Sequence, residues 1–222
     1  MHNSVNIFCF TGEAGCGKID YMNDILKDKK FISKGNIEKL IYHTTRAKKE
    51  NEVDGVDYHF SSKNDYNLVP KEKMMEFRSY YTIPEGTTYY YTTLDDVRDK
   101  HNLLCICSPY QYESYRNWAS MNNIKSDHLK VNLFNIYIDT SMKNRILRRL
   151  ENVDKDEQLL EICRRTIQDH TEFKDVSNRL AELCNPELCN NTCIINNDDL
   201  ALYEKNLAKI KDFIRMSISD AH

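Results

Sequence analysis

The sequence predicts an α/β domain built on a mostly parallel sheet, and three observations support this. Apolar runs of strand length alternate with segments of helical period along the chain. The runs are nearly continuous in apolar residues, as in parallel strands that are buried on both faces. A glycine-containing loop directly follows the first run and opens a helical segment. Strands and helices that alternate in this way are typical of a parallel sheet with crossover helices.

The individual elements are predicted from the same patterns. We predict buried strands over residues 5–10, 39–43, 102–107, 133–138 and 193–195. We predict helices over residues 18–27, 110–121, 141–150, 156–183 and 198–216. Apolar side chains recur at helical spacing in the last segment, which predicts an amphipathic helix that closes the fold. Residues 185–192 are predicted to form a loop before the final strand.

One region interrupts the alternation of strands and helices. Residues 53–91 contain short, aromatic-rich segments and a predicted turn at 83–86. Short strands separated by turn residues favour antiparallel pairing. We therefore predict a small antiparallel unit inserted into the parallel domain.

Length and charge limit the classes of protein that this chain can represent. Its 222 residues suit one compact domain. It has 31 Lys and Arg against 34 Asp and Glu, a net charge of −3, so we expect no nucleic-acid partner. No apolar stretch approaches the ~20 residues of a membrane helix, and the first residues lack a signal-peptide pattern. We therefore expect a cytoplasmic protein with no membrane partner.

The eight cysteines do not predict disulfides or a metal site. Cys9, Cys105 and Cys107 lie in predicted strands, where free thiols pack as small apolar groups. Cys184, Cys189 and Cys193 lack the paired spacing of a zinc site. We expect reduced thiols and no protein metal centre.

Residues 12–18 read GEAGCGK, in a chain that has only six glycines. The spacing Gly-x-x-x-x-Gly-Lys between a strand and a helix predicts a phosphate-binding loop. Glycines let successive N–H groups converge on one anion, the helix N-terminus adds partial positive charge, and Lys18 reaches the phosphates. The alternative is a plain glycine-rich turn. Ile19 stands where the usual motif has a hydroxyl that binds Mg²⁺, an ion that is often held through substrate phosphates.

A second motif resembles a known family. Residues 43–60, HTTRAKKENEVDGVDYHF, resemble the segment S-H-T-T-R-x-x-R-x-x-E-x-x-G-x-D/H-Y-x-F of guanylate kinases. The resemblance extends weakly through LENVDKDEQ at 150–158 and NNDDLALYEKNL at 196–207. It implies a P-loop three-layer fold in a single domain. That domain would have a core of about 1–43, 92–150 and 166–222, a unit for the nucleoside monophosphate (NMP) at about 44–91, and a helical lid at about 151–165.

The resemblance also implies an activity and a set of nucleotide contacts. Members transfer the γ-phosphoryl group of ATP to GMP or dGMP, with Mg²⁺, and the expected assembly is a monomer or homodimer. ATP would be bound by the phosphate loop, that is by Gly12, Glu13, Ala14, Gly15, Cys16, Gly17, Lys18 and Ile19. GMP would be bound by Tyr42, Arg46, Lys49, Tyr58, Glu76, Tyr90 and Thr92.

Within the implied GMP site, each residue takes its role from the matching family position. Arg46 would grip the GMP phosphate, Tyr58 and Tyr90 would contact it, and Lys49 replaces a second arginine and loses its bidentate fork. The carboxylate of Glu76 would accept from guanine N1–H and the 2-amino group.

Two further positions of this implied site concern the base. Thr92 would contact the base through its hydroxyl. Tyr42 stands where the family has a serine that helps to recognise guanine. The family's glycine in the Y-Y-G-[ST] element is here Tyr91.

The lid supplies the remaining implied catalytic cations. Arg149 matches an arginine that reaches the transferred phosphoryl group, and either Arg164 or Arg165 matches a later one. With Lys18 and Arg46 they complete the expected catalytic set, because positioned cations stabilise the charge that develops in phosphoryl transfer.

Three departures favour a second hypothesis. Ile19, Cys107 and Val153 replace a hydroxyl, a carboxylate and an arginine of the family pattern. A chain with these losses could be a weak or inactive guanylate-kinase-like module that binds nucleotides or phosphopeptides. The complete GEAGCGK loop favours the kinase instead.

Overall fold

The computed structural model describes residues 3–82, 86–125, 129–151, 153–173 and 191–220. The strands are β1 (Asn3–Thr11), β2 (Ile37–Lys39), β3 (His43–Thr44), β4 (His59–Phe60), β5 (Met74–Thr82), β6 (Gly86–Thr93), β7 (Asn102–Ile106), β8 (Leu129–Asp139) and β9 (Thr192–Asn196). The helices are α1 (Lys18–Lys27), α2 (Lys29–Gly35), α3 (Lys63–Leu68), α4 (Leu94–Val97), α5 (Pro109–Lys125), α6 (Met142–Leu150), α7 (Asp156–Phe173) and α8 (Tyr203–Asp220).

The main sheet is parallel throughout, as the apolar runs predict. Its strand order is β2-β7-β1-β8-β9, and each neighbouring pair is parallel. Strand β1 lies between β7 and β8, so the loop that follows it opens into the crevice at the carboxyl edge of the sheet. In open α/β sheets this crevice is where ligands bind.

Two apolar clusters cover the two faces of the main sheet. On one face, Phe8 and Ile136 pack with Ile25 of α1 and Ile210 of α8. On the other face, a second cluster contains Tyr115 of α5 together with side chains of β1 and β7. The molecule therefore has three layers, helix–sheet–helix, as expected from strands that are buried on both sides.

A second sheet contains the antiparallel pairing that was predicted between residues 53 and 91. Its strand order is β4-β3-β6-β5. β6 is antiparallel to both β3 and β5, whereas β3 and β4 run parallel. Long strands β5 and β6 form a hairpin, in which Glu76 lies opposite Thr92 and Arg78 lies opposite Tyr90. These four side chains share one face of the hairpin, because directly opposed residues point the same way.

The single strand predicted over residues 39–43 is wrong, because this segment is divided between the two sheets. Ile37–Lys39 pairs with β7 in the main sheet, whereas His43–Thr44 pairs with β4 and β6 in the second. Between them the buried side chains of Leu40 and Tyr42 enter the cluster that also contains β1 and β7. A continuous apolar pattern cannot reveal that the chain passes from one sheet to another.

Most predicted helices are present, and short ones were missed. α1 begins at Lys18 and ends at Lys27, as predicted. Helices α2, α3 and α4 were not predicted, because each is too short to show an apolar period. A capping box of Ser62 and Asp65 begins α3. Predicted residues 83–85, 174–183 and 185–190 lie outside the described part, as do Cys184 and Cys189. Among the helices that the structure describes, none is long and apolar enough to cross a bilayer.

Three asparagines form a polar ladder across the main sheet, in which Asn6 and Asn102 are buried and Asn132 is half-buried. The Asn6 amide donates to Asn102 Oδ1 at 2.7 Å, and Asn132 Nδ2 donates to Asn6 Oδ1 at 2.9 Å. Asn102 Nδ2 in turn donates to the Gly35 carbonyl at 2.6 Å. The ladder connects three strands to α2, and each buried amide gains a partner in place of water.

We predict that Asn6→Ala lowers the free energy of unfolding by about 2–4 kcal/mol, because it leaves polar groups on Asn102 and Asn132 unpaired. Urea denaturation followed by circular dichroism measures this change. The control is Asn64→Ala, at an exposed position of α3, which should shift the value by less than about 0.5 kcal/mol. Equal effects of the two variants would contradict the prediction.

Candidate active site

The predicted phosphate loop has the backbone that its glycines imply. Gly12 and Gly17 have φ angles of 142° and 94°, which side chains with a Cβ rarely adopt. A Cβ on Gly12 would lie 2.6 Å from the Ile138 carbonyl oxygen, and one on Gly17 would lie 2.7 Å from Asn197 Nδ2. The loop therefore requires glycine at both positions for two reasons, backbone conformation and space.

Side chains from neighbouring strands hold the loop in this shape. The Cys16 carbonyl accepts from Thr140 Oγ1 at 3.2 Å and from Asn197 Nδ2 at 2.8 Å. Thr140 follows β8 and Asn197 follows β9, so the ends of three parallel strands meet at the loop. The Lys18 ammonium donates to the Glu13 carbonyl at 3.1 Å. The Lys18 side chain is thus folded back over the phosphate loop, where it is expected to bind the nucleotide phosphates.

Arginines of α6 surround the loop, including one that the sequence did not assign to it. Arg149 packs beside Gly15, where an added Cβ would lie 3.0 Å from the arginine Cδ. Arg145 is buried, donates to the Thr140 carbonyl at 3.0 Å, and forms an ion pair with Glu13 at 2.8 Å. Arg145 belongs to the basic run at 145–149, and its burial distinguishes it from a solvated helix face.

Helix α7 contacts the phosphate loop through an acidic side chain. The Ala14 N–H donates to Asp169 Oδ2 at 2.6 Å. Arg164 and Arg165 lie on the same helix, more than half exposed, and both form ion pairs with Glu161. These two pairs lower the pKa of Glu161 to about 2, and the hydrogen bond from Arg164 is the largest cause of the shift. In this structure both arginines are thus engaged with Glu161, and Arg149 has Arg165 among its charged neighbours.

Arg46 and two tyrosines form a cluster on the second sheet, at positions that are predicted to hold the GMP phosphate. Arg46 Nε donates to the Tyr90 hydroxyl at 3.1 Å, and its guanidinium lies 5.6 Å from the centre of the Tyr58 ring. Glu52 forms an ion pair with Arg46 at 2.7 Å. The hydrogen bond to Glu52 is the largest cause of the raised pKa of Arg46. Arg46, Tyr58 and Tyr90 are three of the predicted site residues that the structure brings together.

Glu76 lies in the same face of the hairpin and is buried with one free oxygen. It is 3% exposed, and its Oε2 has no hydrogen-bond partner among the described residues. Burial raises the pKa of Glu76 to about 7, with Arg78 opposing the shift. A buried carboxyl oxygen without a partner costs free energy unless a ligand satisfies it.

Arg78 was missed by the sequence reasoning. Its Nη1 is 3.7 Å from Glu76 Oε1, and its guanidinium lies 5.3 Å from the ring centres of both Tyr42 and Tyr90. The sequence contained a signal for Arg78: it stands two residues after Glu76 in a predicted strand segment, and residues two apart on a strand point to the same face.

The other predicted GMP-site residues differ in how they are placed. Tyr42 is buried and its hydroxyl donates to the Ile106 carbonyl at 3.0 Å. It contacts Arg78 of the site through its ring. Thr92 is buried and its hydroxyl is 2.8 Å from the Tyr115 hydroxyl. Lys49 is exposed at the turn beside Glu52, to which its backbone N–H donates. Tyr91 points to the opposite face of the hairpin, where it stacks on His43.

The substituted family positions provide no hard oxygen ligand. The Ile19 side chain is 54% exposed in the first turn of α1. Cys107 is buried, with its sulfur 3.5 Å from the Tyr42 hydroxyl and 3.4 Å from Cys105. The sulfurs of Cys9, Cys105 and Cys107 lie within 4.8 Å of one another. They pack within the apolar cluster of β1 and β7, as expected for small apolar groups.

The phosphate loop and the group of Tyr42, Arg78 and Glu76 both lie near the carboxyl end of β7, because the Tyr42 hydroxyl donates to the Ile106 carbonyl and the Tyr42 ring contacts Arg78. The Cys107 N–H donates to the Phe10 carbonyl at 3.0 Å, just before the phosphate loop. Cys107 also contributes to the raised pKa of Glu76, after burial. The phosphate loop has arginines of α6 beside it, and a second site contains the charged side chains of Arg46, Arg78 and Glu76. This combination is typical of P-loop phosphotransferases that act on nucleotides.

Comparison with known proteins identifies the family. The family model described as guanylate kinase matches residues 5–217, so this chain belongs to the guanylate kinase family, a family of phosphotransferases. The guanylate kinase of Mycoplasma genitalium is 27% identical over 182 residues, which cover 80% of this chain and 68% of the relative. That of Lactococcus lactis subsp. lactis is 32% identical over 96 residues, 42% of this chain and 44% of the relative, less than half its length.

A solved structure supports the fold. The crystal structure of guanylate kinase from Anaplasma phagocytophilum matches with a TM-score of 0.55 and 17% identity, covering 98% of this chain and 87% of that one. The predicted P-loop α/β fold is therefore confirmed. These relatives do not favour the alternative of an inactive binding module.

We predict that the Glu76→Gln variant has a higher free energy of unfolding than wild type at pH 8. Because the folded pKa of about 7 exceeds the ordinary value of 4.5, wild type loses stability between these pH values, where the unfolded chain releases a proton and the folded chain keeps it. The loss reaches roughly 3 kcal/mol above pH 7, and the Gln variant is spared it. Urea titrations at pH 5, 6, 7 and 8 measure the gap between variant and wild type.

The control for this titration is Glu50→Gln, at an exposed position of the same sheet region. It should stay within about 0.5 kcal/mol of wild type at each pH. A gap for Glu76→Gln that is the same at pH 5 and pH 8 would show that the folded carboxyl is not protonated near neutrality.

Proposed function

We propose that this chain transfers the γ-phosphoryl group of ATP to GMP or dGMP. One observation carries the proposal: the buried, unpartnered carboxyl oxygen of Glu76 lies on the same hairpin face as Tyr90, which binds Arg46. Guanine offers two adjacent donors to a carboxylate, N1–H and the 2-amino group, whereas adenine presents an acceptor at N1. A guanine on Glu76 would direct its phosphate toward Arg46.

On the acceptor side, Arg46 would hold the GMP phosphate with help from Tyr58 and Tyr90. The guanidinium already has a fixed position, because Glu52 and Tyr90 each bind one of its nitrogens. A cation whose orientation is fixed before the substrate binds loses little conformational entropy on binding. Lys49 would add a second positive charge at the turn.

On the donor side, the loop amides and Lys18 would bind the ATP phosphates. An oxygen of the GMP phosphate attacks the γ-phosphorus while the bond to the β–γ bridging oxygen breaks, which releases ADP and forms GDP. Lys18 and Arg149 would stabilise the charge that moves onto the bridging oxygen. ATP would displace the Asp169 carboxylate from the Ala14 amide.

Mg²⁺ would be held by the nucleotide phosphates and its own waters. At the two family positions that normally supply oxygen, the chain has an exposed isoleucine and a buried thiol, Ile19 and Cys107, and neither suits a hard cation. We therefore assign no step to a protein-bound Mg²⁺.

We also propose the division of the chain that the family resemblance implies. Residues of about 44–91 would form the NMP-binding unit, about 151–165 the lid, and the rest the core. Two observations support this: β3–β6 form a sheet of their own, and α7 leads from the lid to the phosphate loop. Closure of the two units over the core would exclude water from the reacting groups.

A coupled assay for ADP tests the proposed activity. The purified chain is given ATP and Mg²⁺ with GMP, dGMP, AMP or UMP in turn. We expect ADP formation with GMP and dGMP, and little with AMP or UMP. Measurable GMP binding without ADP formation above background would refute the proposed transfer.

We predict that Lys18→Met lowers kcat at least ~10²-fold, because it removes a cation that interacts with the transferred phosphoryl group. The control is Lys27→Met in the last turn of the same helix, where the side chain is exposed and pairs with Asp24. The control should keep wild-type kinetics. Loss of activity in both variants would indicate that α1 is damaged rather than that a phosphate contact is lost.

We predict that Lys49→Arg lowers the KM for GMP about 3- to 10-fold, because a guanidinium binds phosphate through two parallel hydrogen bonds and an ammonium cannot. Lys48→Arg, the same change at the exposed neighbouring position, is the control and should leave the KM unchanged. Steady-state kinetics with GMP varied at saturating ATP measure both. An equal effect at the two positions would exclude a specific phosphate contact by residue 49.

A further inference from the structure

Two charged side chains of β5 present unsatisfied atoms next to each other. Glu76 Oε2 and Arg78 Nη1 are buried and have no hydrogen-bond partner among the described residues. Their nearest approach, Arg78 Nη1 to Glu76 Oε1, is 3.7 Å, which is too long for a hydrogen bond. When Glu76 is ionised the two charges compensate each other, while Glu76 Oε2 and Arg78 Nη1 both keep unused hydrogen-bonding capacity.

Arg78 is held in place by packing. Its guanidinium lies between the rings of Tyr42 and Tyr90, 5.3 Å from each ring centre. Tyr42 is itself fixed by its hydrogen bond to the Ile106 carbonyl. Stacking on aromatic faces orients a guanidinium without using its N–H donors. The donors of Arg78 therefore stay available for a ligand.

Arg78 lies on the side of the proposed GMP site where the base would bind, away from the proposed phosphate contact at Arg46. Tyr90 separates it from Arg46, because the Tyr90 hydroxyl accepts from Arg46 while its ring faces Arg78. On the other side Arg78 adjoins Glu76. A base bound by the Glu76 carboxylate would have the Arg78 donor beside it, because Nη1 lies 3.7 Å from Glu76 Oε1.

We propose that Arg78 is a specificity-determining residue that donates a hydrogen bond to O6 of guanine, beside the two bonds accepted by Glu76. The inference rests on the proposed function, since it requires a guanine nucleotide in this site. On this assignment Arg78 supplies one donor beside the two acceptor oxygens of the Glu76 carboxylate. That is the order of groups on the pairing edge of cytosine, which complements O6, N1–H and the 2-amino group of guanine.

This arrangement rejects adenine at two positions. The adenine 6-amino group would face the Arg78 donor, and adenine N1 would face a Glu76 oxygen, so like groups would oppose each other. A site that is built to hydrogen-bond a substrate rejects an analogue without the matching groups far more strongly than an apolar pocket does. The Arg78 donor also offers a base contact at a site where Tyr42 has no free hydroxyl and the Thr92 hydroxyl is engaged with Tyr115.

The test combines one substituted substrate atom with one substituted residue. GMP and 6-thio-GMP differ only at atom 6, where sulfur accepts hydrogen bonds weakly. Wild type should prefer GMP to 6-thio-GMP in kcat/KM by about 10-fold or more. In Arg78→Met, which keeps the unbranched stem of the side chain and loses the guanidinium donors, kcat/KM for GMP should fall about 10- to 100-fold. The preference for GMP over the thio analogue should then approach unity.

A second pair of substrates separates this contact from a general loss of the site. IMP lacks the 2-amino group that Glu76 would read, so the GMP:IMP ratio should persist in Arg78→Met. The reverse pattern is expected for Glu76→Gln. Arg78→Lys keeps a charged donor and should restore part of the preference for GMP over 6-thio-GMP, and it serves as the test if the Met variant does not fold.

The outcomes distinguish this inference from the proposed function. An unchanged GMP:6-thio-GMP ratio in folded Arg78→Met would overturn the role of Arg78 and leave the kinase proposal intact. If wild type forms no ADP, the same ratios are measured as equilibrium affinities by calorimetry. A ratio that collapses there would support Arg78 although the transfer reaction is absent.

Discussion

The pairing of β1 with β7 on one side and β8 on the other is the constraint on which the rest of the molecule depends. Parallel pairing sends the carboxyl ends of these strands to one edge of the sheet. The phosphate loop therefore emerges beside Thr140 after β8 and Asn197 after β9, which both bind the Cys16 carbonyl. A shift in register would remove these two anchors. The shape of the loop is thus a property of the sheet as much as of its glycines.

The second sheet shows how charge can be buried without closing a site. Arg46 is paired with Glu52, so its charge is compensated before any anion arrives. Glu76 and Arg78 compensate each other's charge but do not satisfy each other's hydrogen-bonding atoms. An incompletely satisfied buried pair lowers stability. Such a cost is more typical of a binding site than of a structural ion pair.

The departures from the family pattern at Ile19, Cys107 and Tyr91 are absorbed locally. Ile19 is exposed in the first turn of α1. Cys107 joins Cys9 and Cys105 in an apolar cluster. At this position the chain therefore has a buried apolar contact where the family has a polar carboxylate. Tyr91, in place of a glycine, lies on the face of the hairpin opposite Glu76. None of these three changes removes Lys18 of the phosphate loop or Arg149 of α6.

The sequence by itself determined the parallel α/β sheet, the limits of α1, and the phosphate loop with Lys18. These features are local: an apolar run, a helical period and a glycine spacing each act over a few residues. Only the tertiary structure decided that residues 37–44 divide between two sheets and that Arg145 turns inward to Glu13. It also decided that Arg78 lies between Tyr42 and Tyr90. Such contacts join residues far apart in the chain, and whether a charge meets a partner, a ring or solvent depends on packing that no short pattern encodes.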